Sequence, residues 1–185
     1  MIAPAVVDQM EYFMSEEIKS FRKGDWVSHL HHGVGQVEGK EKKSLGGESR
    51  EYYKVQTRNG TYWIPTDDLD PDRIRRVVSE KDLQKALAIL ESPAQQMASK
   101  HTVRKSRINQ VIAEGDLDGF CALLRDLHGK RVADKLNTTE QRAHSTIKKK
   151  IAAEWSATRE ISLQDANKEL NKLLRNIEAP EEGTK

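Results

Sequence analysis

Gly24-Asp25-Trp26-Val27-Ser28-His29-Leu30-His31-His32-Gly33-Val34-Gly35-Gln36-Val37 reads as two short strands joined by a glycine turn, the entrance to a small all-β module. Extended segments are predicted at Asp25 to Leu30, Gly33 to Lys42, Glu51 to Gln56, Thr61 to Pro65 and Ile74 to Val78. Their separators are turn-rich: His32-Gly33, Ser44-Leu45-Gly46-Gly47, Arg58-Asn59-Gly60, and Asp67 to Asp72 with Pro71. Asn59-Gly60 suits the positive φ angles of a tight hairpin. Five short strands with alternating apolar positions, in about 55 residues, indicate a strongly bent SH3/Tudor-like antiparallel β-barrel.

From about Ser79 the pattern changes to short amphipathic helices. Ser79 with Asp82 resembles a capping box, and Leu83, Ala86, Leu87 and Leu90 form an apolar stripe that Pro93 stops. Ser92 to Ser99 reads as a polar hinge that leaves the domain orientation open. A second helix, about Thr102 to Glu114, ends at Gly115, and Asp116 caps a third that ends before Gly129. A fourth runs from about Thr139 to Trp155, whose indole continues the Ala143, Ile147, Ile151 spacing and belongs to the core. Ser162 with Asp165 opens a fifth. The expected fold is α+β and multidomain: an arm or helix over 1–20, a β domain over 21–78, an all-α bundle of about five helices over 79–178, and a disordered tail over 179–185.

At 185 residues, 36% hydrophobic and 32% charged, the chain reads as soluble, with no apolar run long enough to span a bilayer. Its start lacks the basic and apolar regions of a signal peptide, so a cytoplasmic location is expected. The single cysteine, Cys121, excludes a disulfide framework and a cysteine-built zinc site. A net charge of +2 hides an uneven distribution: Lys100 to Lys150 holds 12 Lys/Arg against 6 Asp/Glu. Such a patch attracts phosphate, although a solvated helical surface gives similar counts.

Several motifs in register carry a resemblance. Lys23-Gly24-Asp25-Trp26-Val27, His31-His32-Gly33-Val34-Gly35-Gln36-Val37, Glu51-Tyr52-Tyr53-Lys54-Val55, Ile64-Pro65 and Ile74-Arg75-Arg76-Val77-Val78 resemble the RNA-polymerase-interacting domain of the CarD/CdnL family. The helical half is similar to the same family, notably Ile112-Ala113-Glu114-Gly115-Asp116 and Leu124-Arg125-Asp126-Leu127. The resemblance implies a bacterial, nucleoid-associated transcription regulator, a monomer when free, without cofactor or enzymatic activity. Its barrel would bind the RNA polymerase β subunit, and its helical domain would contact promoter DNA at the upstream edge of the bubble.

Carried over residue by residue, Lys43 and Trp63 fall at polymerase-contact positions. Strand alternation places Trp63 opposite to Tyr62 and Ile64, towards solvent. Arg50, Lys54 and Arg58 read either as further contacts or as solvated strand and turn charges. Counting back from Gly115-Asp116 places His101 where many members have a tryptophan that wedges at the bubble edge, and imidazole has less stacking surface than indole. Arg104, Lys105 and Arg107 follow as candidate phosphate contacts. Lys148 and Lys149 of the Lys148-Lys149-Lys150 run read as DNA contacts or as solubilising charge. Two alternatives stand beside this: a polymerase- or protein-binding adaptor without direct DNA contact, and a metal site using His29, His31 and His32 with Asp25 or Glu51.

Overall fold

The computed structural model describes residues 20–45 and 48–180. The predicted arm, the glycine pair of the Ser44 to Gly47 turn and most of the predicted tail lie outside them. The chain divides between Arg76 and Val77 into two compact units.

In the first unit, β1 (Trp26–His29), β2 (Gly33–Leu45), β3 (Glu48–Thr57), β4 (Gly60–Pro65) and β5 (Ile74–Arg76) form one antiparallel sheet in the order β4-β3-β2-β1-β5. Alternation sends Val27, Val37, Tyr53, Val55, Ile64 and Ile74 to one side, where they bury with Phe21. The Phe21 N–H donates to the Tyr53 hydroxyl at 3.1 Å, and the two rings meet edge-on. Among the described residues the sheet is open, with β4 and β5 at its edges, rather than closed as a barrel. Strand β5 is three residues long and pairs with β1.

Two local expectations are corrected. Gly60 takes φ 151°, but Asn59 does not adopt a positive φ; the Thr57 hydroxyl closes the hairpin instead, accepting from the Asn59 N–H and donating to the Gly60 carbonyl. The last strand ends at Arg76, not Val78, because Val78 is held by the helical unit: its N–H donates to Glu154 and its carbonyl accepts from Thr158.

The second unit holds α1 (Glu80–Glu91), α2 (His101–Glu114), α3 (Leu117–Ala133), α4 (Thr138–Thr158) and α5 (Leu163–Arg175). Ser79, Asp116 and Ser162 accept N–H groups of the first turns they precede, as their sequence positions suggested. Asn137 and Glu140 form a full capping box that the sequence reading missed. The third helix runs through Gly129 to Ala133; that glycine is buried, and a Cβ there would run into Ala94. Leu83, Leu90, Phe120, Leu124, Leu127, Ile147, Ile151 and Leu170 build the core, and Trp155 joins it at 3% exposure. Cys121 is buried too, and burial, with Asp118 and other carboxylates, pushes its thiol up to about 12. A thiol so held is inert at neutral pH.

Candidate functional site

The outer face of the first sheet is set by a bulge. Val37 pairs with Val55, but Gly39, at φ 152°, pairs with Lys54, so one β2 residue is extra. Beyond it, Lys40 lies opposite Tyr53, while Glu41 and Lys43 lie opposite Tyr52 and Arg50. Glu41 and Lys43 therefore share the face of Lys54, whose partner in β4 is Trp63.

Trp63 is 38% exposed, as alternation suggested, yet it is held on two sides. Its indole N–H donates to Glu41 at 3.0 Å, and the Lys43 ammonium lies 3.0 Å from the ring centroid. Lys54 bridges Glu38 at 2.9 Å and Glu41 at 3.5 Å. The Trp63 N–H, then Lys54 and Lys43, hold the Glu41 carboxyl below its ordinary value. The Lys54 ammonium is raised by its hydrogen bond to Glu38 and by the charges of Glu38 and Glu41. Beside this cluster Glu38, Glu41, Lys54, Lys23 and Lys40 line a groove of about 490 Å³. The arrangement is a partly exposed indole held between alternating charges.

Sequence reasoning named Lys43, Lys54 and Trp63 but missed Glu41, which joins them. The available signal was period two from Lys43. Arg50 flanks the cluster opposite Lys43, 3.5 Å from Glu48. Arg58 sits exposed in the hairpin turn, three ladder pairs from Trp63.

The histidines close a turn. His29 Nδ1 accepts the N–H groups of His31 at 3.1 Å and His32 at 3.2 Å. The His32 ring stacks on Tyr62 with centroids 4.7 Å apart. Among the described residues no group of three or more His, Cys, Asp or Glu side chains is placed to hold a metal. His29 Nδ1 is thus engaged by the turn rather than turned towards a shared ligand with His31.

In the helical unit two of the sequence-assigned phosphate contacts turn inward. Arg104 Nε donates to buried Glu140 at 2.6 Å, and its Nη1 to the carbonyls of Ala98 and Ser99. Arg107 donates to fully buried Asp126 at 2.6 Å. Asp126 also accepts the Gln95 N–H at 2.9 Å and Arg125 Nε at 2.8 Å, while Arg125 reaches Ser92 Oγ at 2.6 Å. The predicted hinge is thus a strap whose backbone is tied to α2 and α3. Paired in place, Arg104 and Arg107 organise the strap; Asp126 is shared by Arg107 and Arg125, and Glu140 by Arg104 and Lys130, so each cluster keeps a net positive charge.

His101 and Lys105, one turn apart on α2, share an exposed flank, with Val103 exposed nearby on the same turn. Lys148 is half-buried and Lys149 exposed on α4. Among the described residues none of Lys105, Lys148 and Lys149 pairs with a carboxylate. Lys105, Lys148 and Lys149 therefore add charge that no carboxylate offsets to the net positive charge left in the two arginine clusters.

Burial pushes the Glu140 carboxyl up, but Arg104, the Asn137 N–H and Lys130 outweigh it and leave it below its ordinary value of 4.5. A carboxyl depressed in the folded state adds stability that is present above its unfolded value and lost as the pH falls through the folded one. Glu140→Gln is expected to destabilise the protein at about pH 7, with the gap to wild type narrowing towards about pH 3; urea unfolding at both values checks this.

The family model for the CarD-like/TRCF RID domain matches residues 21–78, and that for the CarD C-terminal domain matches residues 85–171. Among curated proteins, a transcription-repair-coupling factor of Staphylococcus haemolyticus (strain JCSC1435) is 37% identical over 73 residues, covering 37% of this chain and 6% of the relative. Those of Staphylococcus epidermidis (strain ATCC 12228 / FDA PCI 1200) and Staphylococcus aureus (strain NCTC 8325 / PS 47) are 36% identical over 73 residues, with the same shares covered. The chain spans about 6% of the length of these relatives.

Proposed function

Since the chain carries both CarD domains in order and belongs to the CarD family, we propose that it is a transcription regulator that docks on the RNA polymerase β subunit through its sheet and contacts promoter DNA through its helices. The match to a domain shared with transcription-repair-coupling factors supports the polymerase as partner. The observation that carries the docking half is Trp63, exposed and clamped by Glu41 and Lys43 on the outer sheet face. A rigid exposed indole ringed by charge is the kind of anchor that dominates protein interfaces. Trp63 also lies on an edge strand, where a polymerase strand can add by backbone pairing while side chains select it.

The DNA half rests on unpaired positive charge. With Arg104 and Arg107 committed internally, His101 and Lys105 on α2 and Lys148 and Lys149 on α4 are the contacts proposed. His101 takes the wedge position with a smaller ring, so stabilisation of the open promoter relies on phosphate contacts that bind melted DNA more tightly than closed.

Binding of an upstream-fork promoter fragment, titrated against salt with polymerase present, tests this half. The affinity is expected to fall linearly with salt on logarithmic axes, and Lys105→Gln to reduce the slope by about one. No binding at low salt would leave a polymerase adaptor without DNA contact.

A further inference from the structure

Across the α3–α4 contact, four basic side chains converge without a counter-charge. His128 and Arg131 lie three residues apart on α3, and His144 and Lys148 four apart on α4, so each pair shares a helix face. The two faces are joined at the histidines. His128 Nδ1 lies 3.2 Å from His144 Nε2, and the rings stack with centroids 5.4 Å apart and planes 30° from parallel. His144 is buried, His128 and Lys148 are half-buried, and Arg131 is exposed.

One imidazole of such a pair donates and the other accepts, so the shared contact holds one proton. One further proton makes one imidazolium in the pair, and protonating both rings would put two like charges side by side. The charges acting on the pair are both positive: burial, then His128, Arg131 and Lys148, push His144 down to about 4, and burial with Arg131 and Lys148 lowers His128. Glu140, one turn before His144, is already taken by Arg104 and Lys130. Asp134, three residues after Arg131, forms no ion pair among the described residues. Cations kept together with no acid between them suit an anion, and a phosphate would turn their mutual repulsion into attraction.

We propose that the face formed by His128, Arg131, His144 and Lys148 is a phosphate-binding site for the backbone of duplex DNA, which takes up a proton on the histidine pair as the phosphate binds. It rests on the reading that the helical unit contacts DNA, and adds a pH-coupled contact remote in sequence from α2. The sign follows from linkage: a bound anion favours protonated imidazole, so the histidine pKa values rise in the complex and affinity increases as pH falls.

The test uses the full-length protein, with imidazole nitrogens followed by NMR during titration with a short DNA duplex and, separately, with inorganic phosphate. Duplex is expected to raise the pKa of both histidines, and affinity to increase by up to about tenfold per pH unit between about pH 7.5 and 5.5 for each proton taken up. Arg131→Gln and Lys148→Gln should each weaken duplex binding several-fold. His128→Gln, at the half-buried position, should flatten the pH dependence of duplex binding; an unchanged far-ultraviolet spectrum verifies its fold. Phosphate at millimolar concentration moving the same resonances supports a site for the anion itself. A response to phosphate but not to duplex overturns the proposal. So do unshifted histidine pKa values with wild-type affinity in Arg131→Gln and Lys148→Gln; fork binding that still responds to Lys105→Gln would then leave the broader DNA reading intact.

Discussion

Replacing Asp126 by alanine is expected to destabilise the helical unit by about 3–5 kcal/mol, the range for removing one partner of a buried ion pair. Asp126 is fully buried and accepts from Arg107, Arg125 and the Gln95 N–H. Its loss leaves the buried Arg125 guanidinium without its carboxylate and releases the strap between α1 and α2. Asp126→Asn should cost less, because an amide of the same shape keeps one acceptor. Urea unfolding gives the energies, and hydrogen exchange at the Gln95 amide localises them. A change within about 0.5 kcal/mol, with Gln95 still protected, would mean that the strap is held by packing alone.

Trp63→Ala is expected to weaken binding to the polymerase β lobe by about 2–4 kcal/mol, roughly 30- to 1,000-fold, the size of loss seen when an interface anchor is truncated. The indole is already positioned by Glu41 and Lys43, so it contributes buried area without first being ordered. Lys43→Glu should also weaken the complex, since it removes the cation over the ring and sets a carboxylate beside Glu41. Trp63→Phe separates the roles, keeping an aromatic surface while losing the N–H that fixes its orientation. Stability should change little in either Trp63 variant, because the side chain lies outside the sheet core.

What the sequence made legible was periodic. Alternation through Tyr62, Trp63 and Ile64 placed Trp63 outward, and the spacing from Ala143 to Trp155 placed that second indole in the core. What it hid was pairing over distance. Arg104 and Arg107 look like free charges opening a helix until Glu140, 36 residues on, and Asp126, 19 residues on, are brought against them. One local signal existed: Arg125-Asp126 interrupts a run of core leucines, and a charge pair within a buried stripe requires partners. Gly129 misled in the other direction. A glycine near a helix end reads as a stop, whereas here it is the helical position against which Ala94 of the strap packs.

Among the site residues, the outer sheet face depended on a bulge that a strict two-residue count does not include. Glu41 and Lys43 share a parity, but only the β2–β3–β4 register brings them to Trp63. The histidine turn was legible as a turn, while the His128–His144 contact joins residues 16 apart on two helices and left no mark in local spacing.

The outer sheet face carrying Trp63 is the proposed polymerase contact. Calorimetric titration of the isolated β-subunit lobe into the full-length protein, wild type beside Trp63→Ala and Lys43→Glu, tests it most directly. Saturable one-to-one binding by wild type, with at least about a tenfold loss in each variant, is the predicted result. No binding by wild type, or equal affinity in all three proteins, would contradict it.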